Sequence, residues 1–83
     1  DFRSRLKVFV DSNRWKIQGK GHSIRQKGID LKIQPIGDQF QIVANGITGK
    51  QNFGDVILAK AAAFTLIDNG KMGDFLSKRK SKN

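Results

Sequence analysis

Three residue types are missing from this chain: cysteine, glutamate and tyrosine do not occur among its 83 residues. Without cysteine, neither a disulfide framework nor a thiolate metal site can form. Proline occurs once, and no apolar run approaches the ~18 residues of a membrane-spanning helix. These absences exclude a disulfide-rich secreted domain and predict that no segment of this chain spans a membrane as a helix.

The length of the chain predicts one domain with a thin core. A chain of this size buries about 60% or more of its unfolded surface. The segment DFRSRLKVFV lacks the apolar run of a signal peptide, and the chain begins without a methionine, so we expect a processed product or an excised domain. We assign residues 1–76 to a single small domain and predict that residues 77–83 form a basic, disordered tail.

The net charge of +9 is unevenly distributed along the chain. Residues 1–32 contain nine Lys or Arg and three Asp, a balance of +6, whereas residues 33–77 contain three Lys and four Asp, a balance of −1. The last six residues add +4. Uniform basicity would serve solubility, but a charge concentrated in this way indicates an anionic partner.

Alternation of apolar and polar residues predicts strands over much of the chain. Leu6, Val8 and Val10 predict an N-terminal strand, and Trp15 with Ile17 predicts the next one. Further strands are predicted at residues 29–34, 39–44 and 47–53. The turns between these three strands are predicted at Gly37-Asp38 and at Asn45-Gly46, the strongest hairpin signal in the chain.

The periodicity then becomes that of a helix. Asp55 is suited to N-cap the segment VILAKAAAFTLIDN, and Gly70 to adopt the left-handed conformation after its end. The segment is apolar on nearly all sides. We therefore expect it to be buried against the sheet, or in a homodimer formed through the apolar residues between Val56 and Ile67.

These elements predict an α+β fold with a four- to five-stranded, mainly antiparallel sheet and one long C-terminal helix packed on one face. The other face of the sheet is then exposed to solvent. By the alternation along the predicted strands, the cations expected on this open face are Lys7, Arg14, Lys16 and Lys32.

A basic segment is the main candidate binding site. Residues 13–28, NRWKIQGKGHSIRQKG, contain five cations and no acid. Cations neutralise phosphates, and glycines allow a ligand backbone to approach closely. Because unneutralised cations repel one another, a binding role is favoured over a solvated loop. The predicted phosphate contacts are Lys7, Arg14, Lys16, Lys20, Arg25, Lys27 and Lys32, with Lys78, Arg79 and Lys80 of the tail.

The aromatic residues near this segment have two interpretations each. Trp15 shares a face with Ile17 and is expected in the core, with stacking on a base as the alternative. Phe9 is either exposed, and available for stacking, or part of a second packed face. The GKGHS stretch lacks the spacing of a Walker loop, so we expect a flexible loop that donates backbone N–H groups to phosphates. His22 is expected to be exposed in that loop, with its pKa lowered by the neighbouring cations.

No catalytic or metal site is predicted. His22 has no second His, Cys or Glu near it in the sequence, and metal sites need several such ligands. Most aspartates occupy turn or cap positions. Only a meeting of Asp30 and Asp38 across strands would offer a Mg²⁺ site to a nuclease. We therefore expect no cofactor and no enzymatic activity.

Three layouts in known families are similar to parts of this chain. The segment FQIVANGITGKQNFGDVILAKAAAFTLIDNG resembles the second half of a double-stranded-RNA-binding domain, although that family starts with a helix and opens its last helix with lysines. The same segment resembles small DNA-binding domains that place a three-stranded sheet in the major groove. Four strands followed by a helix resemble single-strand-binding proteins that dimerise through the helix. These resemblances of layout imply nucleic acid as a partner and assign no residues.

The leading hypothesis is a non-enzymatic nucleic-acid-binding domain that uses a basic N-terminal strand and loop surface. Six to eight phosphate contacts predict a slope of log K against log[salt] of about −5 to −7 on duplex DNA. The alternative is a small protein-interaction or inhibitor module, for example a processed phage or viral accessory protein, whose basic face docks on an acidic protein. We expect no membrane partner. The expected location is the cytoplasm or another reducing compartment that contains nucleic acid, a virion included.

Overall fold

The protein folds as a five-stranded antiparallel sheet with helices on one face, in a computed structural model that describes residues 1–77. The strands follow one another across the sheet in chain order. The predicted α+β class, antiparallel sheet and C-terminal helix are confirmed. In chain order the elements are α1 (Phe2–Val10), β1 (Lys16–Gln18), β2 (Gly21–Gln26), β3 (Ile29–Ile36), β4 (Gln39–Ala44), β5 (Ile47–Phe53), α2 (Val56–Asp68) and α3 (Met72–Ser77).

The first ten residues form a helix, so the predicted N-terminal strand is wrong. Phe2, Leu6 and Phe9 recur at helical spacing, and all three pack into or against the core. Val8, which the alternating pattern placed beside Leu6, is 72% exposed. A short apolar run fits a period of two and a period of 3.6. Here the burial of Phe9 and the partial burial of Phe2 and Leu6 select the helix.

Helix α1 packs against α2 and is held to it by aromatic contacts and by an ion pair. The guanidinium group of Arg5 donates hydrogen bonds to the Asp68 carboxylate at 3.1 and 3.3 Å. One turn further along α1, the rings of Phe9 and Phe64 lie 5.2 Å apart between centroids. The ion pair is partly exposed and contributes at most about 1 kcal/mol, so the aromatic contact is the larger stabilising interaction.

Helix α2 is apolar on nearly all sides because it packs between the sheet and α1. Ala59 is fully buried on α2, and Phe64 packs against α1. Ile57 and Leu58 of α2 stay more than half exposed. The homodimer through this helix stays a prediction. Among residues 1–77, no helix is both long enough and apolar enough to cross a membrane.

The turns adopt the conformations that their sequences predict. Asn45 and Gly46 have φ angles of 50° and 83° between β4 and β5, as an Asn-Gly hairpin requires. Gly70 follows α2 with a φ of 70°. Asp55 occupies the N-cap position of α2, although its side chain makes no capping hydrogen bond. The sequence therefore encodes these chain reversals locally.

Alternation along the strands gives the sheet one covered face and one open face. Leu31 and Ile33 of β3 point toward the helices and are 1% and 0% exposed. In the strand register they face Ala44 and Ile42 of β4, which are also buried. The residues between them in the sequence point to the opposite side of the sheet. This second side is the open face, and no helix of residues 1–77 packs on it.

A glycine on β5 allows the ring of Phe75 to pack against the strand. A Cβ atom at Gly49 would lie 2.9 Å from the Phe75 ring, and Phe75 is only 8% exposed. We expect Gly49→Ala to lower the free energy of unfolding by about 1–3 kcal/mol, because the buried ring has to move. Urea denaturation measures this change.

Gly54 provides the matched control. No heavy atom lies within 4 Å of a Cβ built at this position. Gly54→Ala is therefore expected to change the free energy of unfolding by less than about 0.5 kcal/mol. Equal losses in the two variants would contradict the tight contact at Gly49.

Candidate nucleic-acid interface

A row of residues crosses all five strands on the open face. Lys16 of β1 faces Ser23 of β2, which in turn faces Lys32 of β3. The register continues through Val43 of β4 and Thr48 of β5. We call these five residues the lysine row. Neighbouring strands lie about 4.8 Å apart, so the Cα atoms of the two lysines are separated by about 10 Å.

Two arginines flank the lysine row on one side. The guanidinium group of Arg14 donates a hydrogen bond to the backbone carbonyl of Arg25 at 2.8 Å and another to the side-chain carbonyl of Gln26 at 3.4 Å. Nε of Arg25 lies 3.6 Å from the Asp30 carboxylate. These contacts hold both guanidinium groups close to the sheet. The Arg25–Asp30 pair is largely exposed and therefore weak, so an anionic ligand can compete for the arginine.

The open face is concave over these side chains. A hollow of about 550 Å³ is lined by Arg14, Lys16, Arg25 and Lys32, with Asp30 as its one acid. A second hollow of about 270 Å³ shares the two lysines and Ser23 with the first and extends to Gln18 and Gln34. The two hollows share Lys16, Ser23 and Lys32 and lie side by side along the sheet.

Two further predicted cations lie at opposite ends of β2. Lys20 is in the turn between β1 and β2, and Lys27 is in the turn between β2 and β3. Both lysines are exposed. Lys27 has a φ of 53° and is followed by Gly28 at 78°, a pair of left-handed residues that suits a two-residue hairpin. These turns extend the positive surface beyond both ends of the strand.

The predicted flexible glycine loop is wrong. Only Gly19 and Lys20 form a turn, and Gly21 already begins β2. Residues 21–23 of β2 are paired with β1 on one side, and residues 22–26 with β3 on the other. Because this backbone is used by the sheet ladders, it does not form a loop that cradles a phosphate.

Lys7 is separated from the other candidates because the N-terminal segment forms a helix and not the predicted strand. It lies on α1 and lines a hollow with Ser4, Val8 and Asp11, so its predicted place on the open face is wrong. Lys78, Arg79 and Lys80 lie outside the described residues. The cations that the structure brings together on or beside the open face are Arg14, Lys16, Lys20, Arg25, Lys27 and Lys32.

All seven aromatic residues, six Phe and one Trp, belong to the core or pack against it. Trp15 is 7% exposed, and its indole Nε1 donates a hydrogen bond to the backbone carbonyl of Phe9 at 2.9 Å. The predicted core position of Trp15 is confirmed. Phe9 is also buried, at 5% exposure. The alternative in which either ring stacks on a base is therefore wrong.

A buried lysine lies on the side of the sheet that the helices cover. Lys60 of α2 is 8% exposed, and its Nζ lies 4.6 Å from the centre of the Trp15 ring. Burial lowers the pKa of Lys60, and the negative charge of Asp11 partly opposes this shift. Sequence analysis missed this group. The only available signal was a single lysine within an otherwise apolar helical segment.

His22 is not exposed in a loop as predicted. It lies on β2 with its ring edge-on to Trp15 at 6.5 Å between centroids, and its buried Nδ1 has no hydrogen-bond partner within the described residues. Burial, followed by the charge of Lys60, lowers the pKa of His22. The predicted direction of this shift is confirmed. Its chief cause is burial rather than a basic loop.

The two aspartates considered for Mg²⁺ do not meet. Asp30 lies near the start of β3, and Asp38 lies in the turn after its end. A strand rises about 3.3 Å per residue, which places the two Cα atoms roughly 20 Å or more apart. Among residues 1–77, no group of three His, Cys, Asp or Glu side chains is arranged to hold a metal ion.

No protein-family model, curated protein or solved structure matches this chain. Inference about its function therefore depends on the geometry and charge of the open face.

The partly buried His22, next to the buried Lys60, predicts a pH-dependent stability. The pKa of His22 is lowered from its ordinary value of 6.5, so the unfolded chain takes up this proton first as the pH falls. Stability is therefore expected to fall as the pH drops below about 6.5 and through the folded-state pKa. His22→Gln should show a smaller loss of melting temperature than the unmodified protein between pH 7.5 and 5.5.

The charge of Lys60 can be tested separately. Lys60→Met removes the charge and shortens the unbranched side chain by only one atom, so the pKa of His22 is expected to rise toward its ordinary value. Because His22 is the one histidine, a proton NMR titration reports its pKa directly. Lys71→Met, at an exposed position, is the matched control. An unchanged His22 pKa in Lys60→Met would contradict the coupling.

Proposed function

We propose that the open face binds the phosphate backbone of a nucleic acid and that the domain acts by binding rather than by catalysis. The observation that carries this proposal is the arrangement of Lys16, Lys32, Arg14 and Arg25 on one concave sheet face with a single acid among them. Oxygen atoms of phosphates accept hydrogen bonds from such side chains and neutralise their charge.

The charge of this face favours a polyanion. The six cations on or beside the face are accompanied by two acids, Asp30 on β3 and Asp38 in the turn after it, a net charge of +4. Lys16 and Lys32 are separated by about one Debye length at physiological salt, about 8 Å, so their fields overlap. A polyanion that neutralises several of them at once also releases its condensed counterions. Binding is then favourable before any base is recognised.

An acidic protein is the alternative partner, and the chemistry of the face argues against it. Protein interfaces have a buried apolar centre that is rich in aromatic residues. The outward positions of the strands are polar or charged, except for Val43 and the partly exposed Ile36 at the end of β3. Because all seven aromatic rings lie in or against the core, the open face offers no such apolar centre.

The salt dependence of binding follows from the number of phosphate contacts. Six contacts predict a slope of log K against log[salt] of about −4 on single-stranded DNA and about −5 on a duplex. Fluorescence anisotropy at several salt concentrations measures this slope. Lys16→Glu/Lys32→Glu is expected to weaken binding to every sequence and to reduce the slope by about 2, because each lost phosphate contact contributes about 1.

Lys7→Glu/Lys71→Glu is the charge-matched control. Lys7 lies on α1, and Lys71 lies between α2 and α3, so neither belongs to the open face. The control should retain the slope of the unmodified protein. If both double variants lose affinity equally, net charge rather than the open face determines binding, and the proposed surface is wrong. If none of the proteins binds nucleic acid at low salt, the proposed function is wrong.

A further inference from the structure

A row of amide side chains lies beside the lysine row on the open face. Gln34 of β3 faces Gln41 of β4, which faces Asn52 of β5. Gln18 lies on the same side at the β1 end, opposite Gly21 of β2. We call Gln18, Gln34, Gln41 and Asn52 the amide row. On β1 and β3 it is displaced from the lysine row by two residues, about 6–7 Å along the strand.

The centre of the amide row is a hydrogen-bonded pair. Nε2 of Gln34 donates to Oε1 of Gln41 at 3.2 Å. An amide carries two donor hydrogens and an acceptor oxygen with two lone pairs. Oε1 of Gln34 and the donor hydrogens of Gln41 are thus left for a ligand. These remaining groups lie on two different amides, in side chains that the hydrogen bond already orients.

The amide row and the lysine row share one hollow. The depression of about 270 Å³ is lined by Lys16 and Lys32 on one side and by Gln18 and Gln34 on the other. Gly21 lies between the two amides and has no side chain to divide the hollow. A ligand that occupies this hollow therefore meets cations along one edge and amides along the other. A nucleotide has the matching pair of groups, a phosphate and a base.

We propose that the amide row hydrogen-bonds to base edges of a single-stranded nucleic acid whose phosphates lie on the lysine row. This inference rests on the proposed function. Unpaired bases expose hydrogen-bond donors and acceptors on their Watson–Crick and Hoogsteen edges. An amide carries both kinds of group and therefore pairs with any of these bases.

The width of the sheet selects single strands over a duplex. Gln34 and Gln41 lie on β3 and β4, with β2 and β5 on either side. These four strands span about 14 Å between their backbones, which exceeds the ~12 Å width of the major groove of B-DNA. The central amides therefore cannot reach base edges inside a duplex. The bases of a single strand are free to turn toward the sheet.

The experiment measures affinities for labelled 15-nucleotide deoxyadenosine, deoxycytidine and deoxythymidine strands and for a mixed-sequence duplex, at one fixed salt concentration. Gln34→Val/Gln41→Val is expected to bind all three single strands at least about fivefold more weakly than the unmodified protein, the lower limit for one bidentate pair. Its affinity for the duplex and its salt slope should stay unchanged, because the central amides do not reach bases in a duplex. Valine is suited to a strand, so the variant is expected to fold.

Gln51→Val is the control, because Gln51 lines a hollow with Ala62 and Phe75 on the helix side of the sheet. It should retain the affinity of the unmodified protein for the single strands. Unchanged single-strand affinity in Gln34→Val/Gln41→Val, or an equal loss of affinity for the duplex, would overturn the amide row as a base reader. Salt-dependent binding would persist in those cases, and the proposed function would stand. Loss of all binding at low salt overturns both.

Discussion

The packing of α2 and α1 against one face of the sheet is the interaction on which the rest of the structure depends. A chain of 83 residues has enough apolar side chains for one such layer. Its six phenylalanines and its tryptophan all lie in or against that layer. The opposite face is consequently left to polar side chains. A chain with one core layer and a strongly basic composition therefore places cations on the uncovered face, where water or a ligand solvates them.

The same packing buries a charged side chain, Lys60, on the covered side of the sheet. Lys60 is carried into the core by α2, because the apolar residues around it on the helix have to face the sheet and α1. Its amino group lies over the Trp15 ring, a favourable position for a cation. This contact offsets part of the cost of burial. Burial and the nearby lysine charge also lower the pKa of His22. On the open side of β2 the cations are exposed and available to a ligand. On the covered side a buried lysine lies next to His22.

Local patterns predict the parts of this fold whose structure is determined locally. Strand β5 and the Asn45-Gly46 hairpin follow from alternation and turn chemistry within a few residues. Helix α1 does not, because its short apolar run fits both periodicities and only the contact with Phe64 decides. At the candidate site, alternation places Lys16 and Lys32 on the open face. It cannot show that Ser23 lies between them or that Gln34 meets Gln41, since strand register is not local.

The central claim is that a nucleic acid binds the open face, and amide chemical shifts test it most directly. A nitrogen-15 NMR titration with a single-stranded oligonucleotide should perturb residues of the lysine row and the amide row, with Lys16, Ser23 and Lys32 among the largest changes. Residues on the outer side of α1 and α2, such as Val8 and Leu58, should remain unperturbed. Perturbations confined to those helices, or none at low salt, would contradict the account.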